Sequence, residues 1–313
     1  MAMSTNDVCK IVTDKIIAEM EKGIIPWEKP WFAPGGFNGA FNRITKRPYS
    51  LLNQLLLGEP GEYASMKQWN ELGGKIRKGE KANMVVFWKA YYKDVKAAET
   101  NEENNGTESG KKRVPFFVLR YYNVFHINQV EGVEPLDIKS EEEKLGEKLK
   151  PIKQAEHIMK AYTAHEKIHL SRGRSDQAYY APITDKIVLP ALKQFKTSEA
   201  FYETAFHEMT HSTGHKTRLN RFEDNSVAAF GSEDYSKEEL VAEIGSASMA
   251  NMLGIATEKT ERNNAAYIQS WLRKLKDDVK FIVSAAGKAE KAVNYILNAV
   301  KAEDDSEPAI PFC

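Results

Sequence analysis

His207-Glu208-Met209-Thr210-His211 is an HExxH sequence inside a stretch, Thr197 to Gly214, whose pattern predicts a helix. On a helix, residues i and i+4 share a face, so both imidazoles point the same way. Two convergent imidazoles make half of a tetrahedral zinc site. Glu208 stands beside the first of them, where a carboxylate can take a proton from a metal-bound water. The pattern arises by chance in roughly one or two of a hundred chains of this length, so its surroundings decide its meaning. Ala200, Phe201, Ala205, Phe206 and Met209 give the helix an apolar side to bury. Ser212-Thr213-Gly214 then breaks the pattern, with Gly214 placed as a C-cap.

A third ligand must come from elsewhere. His215 prolongs the row of histidines, but it follows the helix end, and three residues on consecutive turns of one helix do not surround a metal. It is expected at the surface or behind the ligands. The better source is Ser236-Lys237-Glu238-Glu239-Leu240-Val241-Ala242-Glu243. Ser236 and Glu239 have capping-box spacing, so Glu239 has a purely structural reading as well. Glu239 and Glu243 share one helical face. Glu239 is expected to bind the metal, with Glu243 orienting a ligand imidazole or replacing Glu239 as the ligand. The expected cofactor is one zinc per chain, or another divalent transition metal such as Mn or Co.

The chain of 313 residues is long enough for two domains. No apolar run has transmembrane length, and the first ten residues lack the apolar core of a secretory signal. The two cysteines, Cys9 and Cys313, fit a reducing cytosol, so a cytoplasmic bacterial protein with no membrane partner is expected. The net charge of zero hides an asymmetry. Residues 1–133 carry 19 Lys and Arg against 15 Asp and Glu, and residues 1–93 alone carry 14 against 9.

The expected fold class is α+β, in two domains. Residues 1–133 would form an N-terminal α+β domain with a mobile insert at about 94–112. Residues 134–150, charged and poor in apolar side chains, would be the linker. Residues 151–313 would form a mainly helical domain with a small sheet. Helices are predicted over 5–22, 50–57, 65–72, 151–162, 262–283 and 288–301, the last two as an α-hairpin. Strands are predicted over 82–92, 114–127, 168–170, 178–181 and 186–189. Three strands, the motif helix and a Glu-bearing helix follow the order of a zincin catalytic subdomain.

Aromatic and basic residues interleave between 25 and 125. Exposed rings stack on unpaired bases and flanking cations follow phosphates, which suits single-stranded nucleic acid. Most rings are expected in the core. Trp27, Trp31, Arg43, Lys46, Arg47 and Lys78 are the expected DNA contacts, because they lie in loops rich in Gly, Pro and charge.

Trp27-Glu28-Lys29-Pro30-Trp31, Tyr49, Asn53, Trp69, Leu72-Gly73-Gly74, Arg77-Lys78-Gly79-Glu80, Val124-Phe125 and Gln129-Val130-Glu131-Gly132 resemble the N-terminal domain of ArdC-type antirestriction proteins. Ala178-Tyr179-Tyr180, Asp185, Pro190, His207 to His211, Thr213-Gly214, Arg218-Leu219, Arg221 and Glu238 to Glu243 resemble that family's zincin-like domain. The resemblance spans nearly the whole chain. It implies a single-stranded-DNA-binding domain joined to a metallopeptidase-like domain, in a protein of plasmids and other mobile elements that protects incoming DNA from restriction. His207 and His211 carry over as ligands and Glu208 as base.

Two function classes follow. One is a DNA-associated metallopeptidase acting on an unknown protein substrate or a restriction enzyme, its peptide paired to the strand at 186–189, with Tyr179 or Tyr180 as oxyanion donors or as packing. Removal of proteins crosslinked to DNA is a variant of it. The other is a binding protein that occludes DNA and uses its metal for structure alone.

Overall fold

The computed structural model describes residues 3–22, 25–28, 39–96, 111–136, 151–173, 175, 177–195, 197–222, 233–256 and 265–306. Trp31, most of the expected insert and nearly all of the expected linker lie outside these residues. The architecture is α+β in two domains, as the sequence implies.

Helix α1 (Thr5–Met20) starts at a reciprocal cap. Ser4 Oγ accepts from the Asp7 N–H, and the Asp7 carboxylate accepts from the Ser4 N–H. Val8, Val12, Ile16 and Met20 recur on one face and are buried. Helices α2 (Leu51–Leu57) and α3 (Met66–Glu71) are capped by Ser50 and Ser65. Strands β1 (Ala40–Asn42), β2 (Gly61–Ala64), β4 (Asn83–Lys96) and β5 (Lys111–His126) make one sheet, ordered β1-β2-β5-β4. Only the β1–β2 pair in it is parallel. Strands β3 (Lys75–Ile76) and β6 (Val130–Glu131) pair separately. β4 and β5 stay in register from Asn83↔Val124 out to Lys96↔Lys111, so both strands run into what the composition marked as a loop.

In the second half, α4 (Pro151–His165) leads to β7 (His169–Gly173), β8 (Tyr179–Ala181) and β9 (Lys186–Pro190). Then come α5 (Ser198–Ser212), α6 (Glu233–Met252), α7 (Ala265–Asp277) and α8 (Phe281–Ser306). The sheet order is β7-β9-β8. β9 pairs on both sides, so the expectation that 186–189 offers an edge to a peptide is corrected. β7 and the short antiparallel strand β8 are the edge strands.

Two helix boundaries also differ from expectation. α6 begins at Glu233, one turn before Ser236, so Ser236 is inside the helix and the Ser236–Glu239 capping box does not form. The final break falls at 278–280, because Asp278 Oδ1 accepts from the Lys280 N–H at 2.8 Å and Thr13 Oγ1 donates to the Val279 carbonyl at 2.7 Å. Gly287 therefore continues inside α8.

α6 is buried on every side from Leu240 to Asn251, its polar residues Glu243, Ser246, Ser248 and Asn251 included. One core cluster joins Leu240, Val241 and Ile244 of α6 to Val12 and Ile16 of α1 and to Leu275 of α7. A second packs α4, α5 and the sheet against Met249 and Ala250 at the far end of α6. The first cluster thus takes residues from both sides of 134–150. Trp27 belongs to it. Its ring is 0% exposed and meets Trp271 edge-on at 6.4 Å. Trp27→Ala is expected to cost ~3–5 kcal/mol, the loss typical of emptying a large buried aromatic site. Chemical denaturation checks it; a midpoint unchanged from wild type would contradict the burial.

Candidate metal centre

The site is built by two helices. Thr197 caps α5, its Oγ1 accepting from the Ala200 N–H at 3.1 Å. Phe201, Ala205, Phe206 and Met209 are buried, which turns His207 and His211 toward α6. The imidazoles stand edge-on, with their Nε2 atoms 3.1 Å apart. Two nitrogens each ~2.0–2.1 Å from one tetrahedral zinc would be ~3.3 Å apart. Glu239 Oε2 lies 3.5 Å from His207 Nε2, and Oε1 lies 3.5 Å from His211 Nε2. One atom from each of His207, His211 and Glu239 falls within 4.8 Å of the others. Two imidazoles and a carboxylate converging on one point suit a divalent cation.

The outer edges of both imidazoles meet carboxylates. His211 Nδ1 faces Glu238 Oε1 at 3.3 Å. His207 Nδ1 is buried without a hydrogen bond, with Glu243 Oε1 4.0 Å away. Glu243 thus stands where the sequence placed it, behind a ligand. Glu238 does the same for the other histidine, and the sequence reading missed it. The signal was there, since Glu238 and Glu239 are consecutive and diverge by ~100° around the helix. Arg221 fixes Glu238 with two bonds, Nη2 to Oε1 at 2.7 Å and Nε to Oε2 at 3.0 Å. The same guanidinium donates to the Thr210 carbonyl and Thr213 Oγ1, both at 2.8 Å, which ties the carboxylate back to α5.

Burial disfavours charge on His211, but Glu238 and Glu239 outweigh it and raise its pKa to about 10. Burial pushes Glu239 up, yet the two imidazoles hold it well below the ordinary carboxylate range. Glu208 is 7% exposed and makes no hydrogen bond to a described residue.

His215 is not in the cluster. The chain leaves α5 in a turn, and His215 Nδ1 pairs with Thr217 Oγ1 at 2.8 Å. The helix is capped at Thr213, not at Gly214. Gly214 is required for another reason, since a Cβ there would lie 2.6 Å from the Phe222 ring. Behind this turn Arg218 is buried and bonded to Asp185, to the Tyr180 hydroxyl and to the Ser212 carbonyl. Tyr180 donates to Asp185 Oδ1 at 2.7 Å and is committed to packing this turn. Tyr179 is exposed on β8.

The expected DNA contacts divide. Trp27 is core, which corrects its expected exposure. Arg43 forms a mostly buried ion pair with Glu62. Lys46, Arg47 and Lys78 are exposed, and Trp31 lies outside the described residues. The sequence reading did not single out the exposed rings of the β4–β5 hairpin, because alternation alone does not tell a core face from an open one.

Residues 6–125 match the family profile described as the N-terminal domain of anti-restriction factor ArdC, and residues 153–288 match a zincin-like metallopeptidase profile. The metal-free crystal structure of the antirestriction protein ArdC from plasmid R388 superposes with a TM-score of 0.69 at 30% identity, over 95% of this chain and 98% of that one. This chain belongs to the ArdC family. The Mn(II)-bound structure of R388 ArdC gives a TM-score of 0.68 at 31% identity, over 93% of this chain and 97% of that one. The y4eC protein of Sinorhizobium fredii is 30% identical over 301 residues, 93% of this chain and 91% of its own. An Escherichia coli DNA primase TraC is 34% identical over 298 residues, 92% of this chain but 20% of the primase. The chain thus spans about a fifth of that relative. The Mn(II)-bound ArdC and the donor set together point to a divalent metal at this centre.

Glu238→Gln is expected to weaken metal binding ~10–100-fold, as loss of an outer carboxylate on a ligand imidazole does. Competition against a chromophoric chelator measures it, and an affinity equal to wild type would deny Glu238 its role. Gly245→Val is expected to weaken both metal binding and folding, because a Cβ at Gly245 already meets the Thr210 side chain at 2.8 Å. A thermal shift together with chelator competition reads both.

Proposed function

We propose that this ArdC-family protein is a DNA-associated metallopeptidase of a mobile element, which binds single-stranded DNA and protects incoming DNA from host restriction. The observation that carries the peptidase is the convergence of His207, His211 and Glu239 beside Glu208. Among the described residues no fourth side chain joins the cluster, and three protein ligands with an open position favour catalysis over a purely structural metal. Residues 1–133 would serve DNA and 151–313 the chemistry, with 134–150 joining them. Among the described residues no helix is long and apolar enough to cross a membrane, which fits the proposed cytoplasmic site of action.

A divalent cation held by His207, His211 and Glu239, which we assign as zinc with Mn or Co as alternatives, supplies Lewis acidity and makes water a stronger acid there. The residues of the chain do the rest. Glu238 holds the outer edge of the His211 imidazole and Glu243 faces that of His207, which favours Nε2 lone pairs turned inward. Glu208 takes the proton of the attacking water and returns it to the leaving amine. The substrate is a protein: an extended segment can add to the free edge of β8, where backbone pairing gives affinity and side-chain pockets give choice. A restriction enzyme, or another protein on the entering DNA, is the proposed target.

Glu208→Gln removes the base and leaves the three ligands. It is expected to retain metal and single-stranded DNA binding and to lose protection against restriction. Metal analysis, an oligonucleotide binding assay and a plasmid-entry assay measure the three properties on one preparation. Full protection by the variant would mean that the protein acts by occupying DNA, with the metal serving the fold.

A further inference from the structure

The two strands of the β4–β5 hairpin carry seven Lys and Arg and a single acid, Asp94, in a protein of net charge zero. They also carry large exposed rings, and the register sorts these rings by face, since cross-strand partners share a face. On one face the rings occupy each other. Phe87 meets Tyr122 edge-on at 5.7 Å, Tyr91 stacks on Phe116 at 5.7 Å, and Lys89 and Arg120 sit over the Tyr91 ring.

On the other face Trp88, Phe117 and Tyr92 are 55%, 61% and 64% exposed. None of the three makes a ring contact with a described residue. They occupy successive rows of the ladder: Trp88 opposite Leu119, Phe117 opposite Ala90, and Tyr92 opposite Pro115. Each ring therefore stands beside an aliphatic partner. Rows on one face repeat every ~6.8 Å, twice the ~3.4 Å rise of stacked bases, which leaves room for one base between neighbouring rings. Leu119 is buried, and its N–H is bonded to Thr5 Oγ1 at the start of α1. α1 thus reaches this face at the Trp88–Leu119 row, and Phe117 and Tyr92 follow in the rows outward from it.

We infer that this face of the hairpin is the stacking platform for single-stranded nucleic acid, with Trp88, Phe117 and Tyr92 each taking a base. The inference rests on the DNA-binding reading of the N-terminal half and locates it on the hairpin instead of the loops that carry Lys46, Arg47 and Lys78. Three unpartnered rings in consecutive rows mark an interaction surface. The hairpin's excess of positive charge, seven cations against one acid, selects its occupant, because a phosphate backbone balances that charge and an apolar protein face does not. Lys89 and Lys93 lie on the opposite face of β4, but β4 is the edge strand of the sheet, so their flexible stems can reach a backbone that runs along that edge. Stacking uses ring faces alone, so binding is tolerant of sequence and sensitive to salt.

The test uses the full chain and a labelled oligothymidylate. Trp88→Ala and Phe117→Ala are each expected to weaken binding ~5-fold or more, and Trp88→Phe, which keeps an aromatic face, to weaken it far less. Trp27, Trp69 and Trp271 are buried and Trp31 is present in both proteins, so quenching that is present in wild type and lost in Trp88→Phe reports a base on Trp88. Metal content and melting temperature equal to wild type show that the variants fold. Unchanged affinity in both alanine variants, with loss on joint replacement of Lys46 and Arg47 by alanine, overturns the inference and leaves the DNA-binding reading intact. No binding by wild type overturns that reading itself. A dimer in sedimentation that Phe117→Ala converts to monomer, with oligonucleotide affinity unchanged, overturns it in favour of self-association.

Discussion

The metal centre depends on how closely α5 and α6 approach. Thr210, between the two histidines, faces Gly245, and a Cβ at that glycine would lie 2.8 Å from the Thr210 side chain. Thr210 does not yield easily, since its Oγ1 donates to the Phe206 carbonyl at 2.8 Å and is held on the helix. Only the missing side chain lets the backbones come together. That approach brings the Glu239 carboxylate within 3.5 Å of both Nε2 atoms. Glycine costs a helix interior ~1 kcal/mol relative to alanine, and here the cost is offset by packing and by the geometry it permits. Ser246 continues the seam, its Oγ donating to the Glu203 carbonyl at 2.6 Å.

The same helix faces the other way into the N-terminal half. Leu240, Val241 and Ile244 follow the glutamates within two turns and pack in one cluster with α1 and Trp27. A displacement of α6 toward or away from α1 therefore moves Glu238, Glu239 and Glu243 as a group. The charged stretch at 134–150 separates the halves in sequence but not in packing. Interfaces between domains of one chain are often small and polar. This one is apolar and continuous with the core, which makes the two halves a mechanical unit.

The sequence was legible where a local rule and the tertiary structure agree. The two histidines share a helical face by geometry alone, and β7, β8 and β9 fall within about three residues of where β-branched residues and turns placed them. It misled where two rules compete. Ser236 and Glu239 have the spacing of a capping box, but the helix begins earlier and the carboxylate turns to the imidazoles. Trp27 sits among prolines and charges, yet a ring of that size is worth more buried than exposed. Strands of two to four residues, such as β1 and β3, are too short to show a period. Which face of the β4–β5 hairpin stays open depends on where α1 lies, and α1 is a hundred residues away in sequence.

Electrostatics gives the centre its remaining logic. Glu208, Glu238, Glu239 and Glu243 gather around two imidazoles, and Arg221 is the guanidinium bonded to one of them. Carboxylates crowded at this depth repel one another unless a cation sits among them. A divalent metal on His207, His211 and Glu239 meets that demand. So does a proton on His211, and the glutamates that would balance a metal are the ones that raise this imidazole to about 10. Proton and metal thus compete for the same Nε2 lone pair, and metal binding must release the proton. Arg221 holds Glu238 through two bonds and so keeps that carboxylate an oriented acceptor for the Nδ1 proton. Glu238 and Glu239, adjacent in sequence, thus reach the same imidazole from its two nitrogens, and both raise its hold on a proton.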